Sequence, residues 1–253
     1  MTMQVTARHL IHRTAKEVVR HALTRLAMHR LVDSVRSAKG FSVGHFRNGT
    51  LAARFGEIYD VGLWTGGTGD VPLSGTGSTL AATRSVREGL PSLLRAIGAE
   101  TLLDVGCGDL TWMSAIDLGI DYIGVDVVES VVRRNIEMHG SARRRFYCRD
   151  AMIGDLPDAD TVLCREVLFH LGFAEIAAVL RNVGAKRRRW LIATTDASTL
   201  FNADIRCGDY RVLNLRLAPF RFPEPDHWLD DSAQIPGRRL AVWSFDRLPA
   251  CGR

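Results

Sequence analysis

The five cysteines of this 253-residue chain form no C-x-x-C pair, so a structural zinc site has no ligands at the usual spacing. Their odd number and irregular spacing exclude a disulfide framework and fit reduced thiols in a cytoplasmic setting. No apolar run reaches the roughly 18 residues needed to cross a bilayer. The basic N-terminus lacks the uninterrupted apolar stretch of a secretory signal. Internal repeats and low-complexity tracts are missing too, which excludes solenoids and long disordered tails. Acidic charge is scarce in one region only. Residues 1–40 carry Arg8, Arg13, Lys16, Arg20, Arg25, Arg30, Arg36 and Lys39 against Glu17 and Asp33. The whole chain is +5, so the rest is close to neutral, which weakens the case for a nucleic-acid groove across the body.

What is present is an ordinary globular composition, 46% hydrophobic and 24% charged. In the leader, Val19, Leu23, Leu26, Leu31 and Val35 recur at helical spacing, predicting one long or two shorter amphipathic helices over 7–37. These helices either pack on the domain or a second subunit, or lie on an anionic membrane surface. A shortage of bulky aromatics favours packing. Residues 41–77 are rich in turn signals, including Gly66-Gly67-Thr68-Gly69 and Ser74-Gly75-Thr76-Gly77-Ser78, and read as a connecting or lid segment. Ser78 is placed to cap a helix over 79–88, and Pro91 to open another that ends near Gly98.

From there strands and helices alternate. Strands are predicted at 101–105, 122–127, 145–148, 161–165 and 190–194, and helices at 110–116, 129–138 and 173–183. Further strands at 212–217 and 240–246 lie in a proline-containing stretch and predict an antiparallel finish. The pattern specifies an α/β fold: a Rossmann-like, doubly wound, mostly parallel seven-stranded sheet with an antiparallel C-terminal strand and an N-terminal helical extension.

One run carries chemistry. Leu102-Leu103-Asp104-Val105-Gly106-Cys107-Gly108-Asp109 is a buried strand that ends in Asp-x-Gly-x-Gly and turns toward a helix. Glycines are needed where backbone bends sharply against a ligand. Asp126 ends the next strand, 22 residues past Asp104, close to the spacing at which an acid reaches a ribose diol. The bland alternative is that Asp104 caps a turn and Asp126 merely ends a strand.

This run resembles motif I of class I S-adenosylmethionine-dependent methyltransferases. Tyr122-Ile123-Gly124-Val125-Asp126 resembles motif II, Arg149-Asp150-Ala151 the loop that reads adenine, and residues 159–166 motif IV. The resemblance covers roughly residues 75–250 and divides the chain into a basic leader (1–40), the connecting segment (41–77) and a methyltransferase domain (78–253). Thr111 stands where nicotinamide dehydrogenases usually carry a third glycine.

The resemblance implies S-adenosyl-L-methionine as cofactor, held by Asp104, Gly106, Cys107, Gly108, Asp126, Val127, Asp150, Ala151 and Cys164. In these roles Asp104 attracts the cationic tail, Asp126 takes the ribose hydroxyls, Asp150 the adenine amino group, and Val127 packs on adenine. After the fourth strand, His170 is the first candidate base, and Glu166 or Arg165 position substrate. Equally open are a histidine satisfied by backbone and an Arg165 held in a local salt bridge. Cys164-Arg165-Glu166-Val167 departs from the Asn/Asp-Pro-Pro-Tyr/Phe motif of base N-methylation. Glu166 and Asp196 match two ligands of metal-dependent O-methyltransferases, but no third is evident, so no metal is expected.

Thr194, Thr195, Asp196, Asn202, Asp204, Asp209, Tyr210, Arg211 and Asn214 either line a polyhydroxylated acceptor or form a solvated loop. The run Gly208–Leu215, with Phe55–Tyr59 and Ser74–Ser78, resembles a poorly characterised bacterial branch of the superfamily. The expected activity is O-methylation of a hydroxylated small molecule or saccharide. Methylation of RNA or protein, and a non-catalytic cofactor-binding scaffold, are the rivals. Basic runs at 143–145 and 186–189 read as solvated connections before strands rather than phosphate contacts.

Overall fold

A computed structural model describes residues 7–47, 49–65 and 71–249. The Gly66–Gly69 run and Cys251 lie outside them. The leader forms two helices, α1 (Ala7–Arg25) and α2 (His29–Ala38), separated at Ala27, whose φ of 53° no helix continues. α3 (Leu51–Asp60) follows, started by the Thr50 side chain, which accepts a hydrogen bond from Ala53 N–H at 3.2 Å.

α4 (Arg84–Ala96) leads into a seven-stranded sheet. Its strands are β1 (Thr101–Val105), β2 (Asp121–Asp126), β3 (Arg144–Cys148), β4 (Thr161–Cys164), β5 (Trp190–Asp196), β6 (His227–Asp230) and β7 (Arg238–Ser244). α5 (Glu129–His139) and α6 (Phe173–Gly184) connect them. The strand order is β3-β2-β1-β4-β5-β7-β6. The first five pair in parallel, and β7 runs antiparallel to both β5 and β6. This is the mostly parallel, Rossmann-like sheet that the alternation predicts.

Side chains one residue apart go to opposite faces of the sheet. Leu103, Val105, Val162 and Leu191 pack under α6, whereas Leu102, Leu163 and Ile192 pack under α4. Both faces are thus covered, and β1 and β4 read as near-continuous apolar runs for that reason. Val86, Leu90 and Leu94 of α4 are fully buried at i, i+4, i+8 spacing. That stripe runs straight past Pro91, so one helix forms where two were expected. Ser78 closes a short 3-10 turn (Thr76–Ser78) instead of capping a helix.

Two other expectations are corrected. Residues 110–116 form a turn and a 3-10 segment (Met113–Ala115), because Leu110 is held at φ 61°. The expected strand at 212–217 is irregular: Leu213 and Leu215 bury their side chains, while Asn202 takes the backbone partners of Asn214. The sheet edge is instead β6, whose exposed and intermediate residues hide its periodicity.

Gly124 in β2 marks how tightly motif II is packed. A Cβ there would lie 2.7 Å from the Phe146 ring and 3.0 Å from Cys107 Sγ. Gly124→Ala is expected to cost about 1–3 kcal/mol through overpacking and lower the melting temperature by several degrees. An unchanged thermal melt would contradict this.

The leader lies on the loop after β5. Arg13 donates to Ser198 Oγ at 3.2 Å and approaches Asp196 at 3.7 Å. Arg20 bonds the Tyr210 carbonyl, His21 Nδ1 accepts from Asp204 N–H, and Asp33 pairs with Arg206. Arg13, Arg20 and Arg36 are therefore engaged inside the molecule. Ile11, Val19, Leu26, Leu31 and Val35 stay exposed. Among the described residues no helix is long and apolar enough to cross a membrane.

Candidate active site

The carboxyl ends of β1, β2 and β4 open onto a cleft of about 1000 Å³, measured with its mouth. Asp104, Val105, Gly106, Cys107 and Gly108 supply its floor, and Asp126 and Val127 one wall. Asp150 and Ala151 lie beyond that wall, and Arg165, Glu166 and His170 are on the other. The structure thus brings together every residue expected at the site except Cys164. That side chain is fully buried in the core under α6, since β4 is covered on both faces.

The floor bends at two glycines. Gly106 has φ 72° and Gly108 φ 60°, where an L side chain is strained. A Cβ on Gly106 would also lie 2.5 Å from Val167 Cγ2, and one on Gly108 3.0 Å from Ser74 Cβ. The bend is locked by Gly106 N–H and Cys107 N–H, which donate to the Val125 carbonyl. Asn135 Nδ2 bonds the Gly108 carbonyl at 2.7 Å.

Two buried carboxyls flank it. Asp126 accepts Gly108 N–H at 3.1 Å on Oδ2 and Val128 N–H at 3.0 Å on Oδ1. Burial pushes its pKa up, and the backbone N–H groups oppose that shift. Asp104 accepts the Tyr122 hydroxyl at 2.7 Å. Its carboxyl is pushed up to about 7, by burial first and then by Asp126, against the pull of Tyr122 and Arg165. Cys107, Tyr59 and Tyr122 all have their pKa values raised, chiefly by burial, so they stay protonated. Asp150 Oδ1 caps its own turn by accepting Met152 N–H at 2.8 Å.

On the far wall Arg165 is turned to a buried partner. It grips Asp231 at 2.8 and 3.1 Å, donates to the Gly77 carbonyl at 3.0 Å, and lies 5.1 Å above the Trp112 ring. Glu166, at φ 59°, pairs with Arg238. His170 Nδ1 lies 2.9 Å from the Asp209 carbonyl, which can only accept. Nδ1 therefore carries the proton and Nε2 the lone pair. Burial lowers this imidazole to about 4, so it is neutral at physiological pH.

The roof is the part the motifs did not disclose. Leu51, Phe55 and Tyr59 line the cleft from one face of α3 at i, i+4, i+8 spacing, and Trp64 follows them. Trp64 lies 5.0 Å from the His170 ring and 5.5 Å from Tyr59. Ser74 ties this segment to the floor by donating to Asp109 at 2.8 Å. The amphipathic spacing of 51–59 was the available signal. In contrast, the polar run after β5 does not reach the cleft wall. Asp196 caps the turn at Ser198, Asn202 holds backbone, and Asp204 caps α6 at Phe173. Arg211 is wholly buried. Among the described residues, no three or more His, Cys, Asp or Glu side chains are grouped to hold a metal.

A Rossmann-like sheet with a glycine bend and two buried acids at its carboxyl edge defines a nucleoside-cofactor site. Residues 103–185 match the family described as a methyltransferase domain. The match is to a methyltransferase domain over that stretch, and together with the fold and the site's geometry it implies S-adenosyl-L-methionine as the cofactor. The residues present fit that group: a side-chain-free bend for its tail, and on Asp126 a carboxylate with lone pairs left for a diol.

Among solved structures, the chain is similar to the methyltransferase domain of bacterial CtHen1-CN (20% identity, 46% of this chain and 67% of that one, TM-score 0.41). It is similar to the S-adenosylmethionine-dependent methyltransferase SibL in its apo form (17%, 64% and 55%, 0.45). It is also similar to the N-methyltransferase NodS from Bradyrhizobium japonicum WM9 (16%, 46% and 71%, 0.39). The chain spans between 55% and 71% of the length of these three structures, and likenesses at this level decide nothing about substrate. No curated protein matches the chain.

Proposed function

We propose that the protein O-methylates a hydroxylated small molecule or saccharide, with His170 as proton acceptor. The observation that carries this reading is the committed Nδ1–H of His170, which leaves a lone pair on Nε2 of a ring lining the cofactor cleft. The polar loop after β5, which the sequence offered as acceptor lining, no longer contributes to it.

S-adenosylmethionine supplies an electrophilic methyl carbon on a sulfonium. Asp126 and the Gly106–Gly108 bend would hold its nucleoside and tail, and Asp104 would offer a carboxylate to the cationic side. With the cofactor bound, its sulfonium methyl would be the group transferred, S-adenosylhomocysteine the leaving group, and His170 Nε2 would take the proton of the acceptor hydroxyl. As the acceptor oxygen is methylated that proton becomes strongly acidic, so a base with a lowered pKa is sufficient. Phe55, Tyr59 and Trp64 cover the cleft and exclude water. Glu166, held by Arg238, lines the cleft with His170 and offers an acceptor to neighbouring hydroxyls of the substrate.

The test is methyl transfer from tritiated S-adenosylmethionine to fractions of a cell extract separated into glycans, small metabolites, lipids, RNA and proteins. Label in hydroxylated metabolites or glycans, stable to alkali as an ether, is the expected result. Label confined to RNA or protein overturns the proposed acceptor class, and no label in any fraction favours a scaffold.

A further inference from the structure

We propose that Arg36 of α2 is a positioning residue for His170, acting through Asp209. The proposal rests on the reading of His170 as the proton acceptor, and it gives the basic leader a role in that step. The chain of contacts is short. Arg36 Nη2 lies between the two carboxylate oxygens of Asp209, at 2.8 and 3.1 Å. The same carboxylate accepts Tyr210 N–H at 2.9 Å. That N–H and the Asp209 carbonyl belong to one peptide plane, and the carbonyl accepts His170 Nδ1–H. The carboxylate therefore holds one end of the plane and His170 is held by the other.

The surrounding bonds leave this plane as the adjustable element. Asp209 N–H donates to the Arg206 carbonyl, Gly208 N–H to the His170 carbonyl, and Arg211 N–H to the Phe169 carbonyl. Arg206 is in turn paired with Asp33 of α2, so a second leader contact fixes the start of the loop. The charged groups acting on the imidazole are Glu166 after β4 and Asp209 and Arg211 of this loop. Trp64 adds a ring contact from the roof. Without Arg36, the Asp209 carboxylate is free to turn to solvent, the peptide plane loses its brace, and either ring nitrogen of His170 can carry the proton. Only one of those tautomers leaves the lone pair on Nε2.

The test reads the tautomer directly, without acceptor. Nitrogen-15 NMR of the full chain separates the two ring nitrogens of His170, assigned with His170→Gln. Arg36→Ala is compared with Arg30→Ala, which removes the same charge from an exposed position of the same helix. The expected result is a roughly fivefold fall in the Nδ1–H to Nε2–H ratio in Arg36→Ala. That change is ~1 kcal/mol, the worth of one hydrogen bond. Arg30→Ala and the affinity for S-adenosylmethionine should be unchanged, and Arg36→Lys should restore part of the ratio. A wild-type ratio in Arg36→Ala overturns the proposal. Should Arg36→Ala not fold, Asp209→Asn is read in the same way: a wild-type ratio there overturns the proposal, and a shifted one supports it. If His170→Gln transfers methyl groups at the wild-type rate, the base reading fails while the tautomer result stands by itself.

Discussion

Asp126→Ala is expected to weaken S-adenosylmethionine binding by about 100-fold or more while leaving the fold in place. An ionised carboxylate has roughly four lone-pair positions. Backbone N–H groups of Gly108 and Val128 use one on each oxygen, so each oxygen keeps capacity for a ribose hydroxyl. Hydrogen bonds to a charged group are worth about 1.5–3 kcal/mol each, and losing two gives at least ~3 kcal/mol. The same substitution releases Gly108 N–H, so the loss of affinity includes a loosened glycine bend. Asp126→Asn does not escape the effect. Its amide has one acceptor oxygen for two backbone donors and places an NH₂ against one of them. Titration calorimetry of both variants provides the check, with thermal melting to confirm folding. Affinity within threefold of wild type in Asp126→Ala would remove this residue from the cofactor site.

The floor and walls of this cleft were legible in the sequence residue by residue, whereas its roof was read only as a connecting or lid segment over 41–77, without naming the side chains that line the cleft. Asp104, Gly106, Gly108 and Asp126 announce themselves because each is forced by backbone geometry: a strand end, two left-handed residues, and a second strand end. Such requirements tolerate few residue types, so they leave a local signature. Phe55, Tyr59 and Trp64 satisfy only a need for apolar bulk above the cleft, which many residues meet. Their positions follow from where α3 docks, and docking is a tertiary fact.

The misreadings have the same origin. Alternating Val212, Leu213, Asn214 and Leu215 carries a strand's period, yet Leu213 and Leu215 are buried from an irregular backbone whose Asn214 and Leu215 N–H groups bond the side chains of Asn202 and Thr195. The reverse holds at β6, where His227, Trp228, Leu229 and Asp230 pair with β7 but show no strong alternation. Polar residues after β5 suggested a substrate surface, because a sequence does not show whether a side chain meets solvent, ligand or its own chain. Asp196, Asn202, Asp204 and Asp209 meet their own chain. The charge imbalance of the leader was likewise visible, but its counter-charges at Asp196 and Asp209 lie more than 170 residues away.

Asp104→Asn should make the cofactor-free protein more stable and its cofactor affinity poorer, and the first effect should depend on pH in a set direction. Burial holds the Asp104 carboxyl up at about 7, whereas in the unfolded chain it titrates near 3.9. Between those values the folded protein binds a proton that the unfolded chain has released. The native state is therefore favoured at the acid end and loses stability as pH rises through about 4 to 7. Above 7 the wild type carries a buried charge at a cost of the order of 3–4 kcal/mol, from about three pKa units. Asparagine carries none, and its Oδ1 still accepts the Tyr122 hydroxyl that Asp104 accepts at 2.7 Å. Thermal melts of the two proteins should coincide only at or below about pH 4, near the unfolded pKa, and the variant should melt increasingly higher as pH rises to 8. Affinity should move the other way, falling roughly tenfold with the loss of one charge-assisted contact to the cationic tail. Near pH 6.5 that tail favours ionised Asp104, so binding to wild type should release protons. Titrations in two buffers of different ionisation enthalpy then give different heats, and with Asp104→Asn the difference should vanish. A variant no more stable than wild type at pH 8 would show that Asp104 is already well satisfied without the cofactor. A stability gain coupled to lost affinity would show a charge that the fold carries at its own expense until a sulfonium nucleoside meets it.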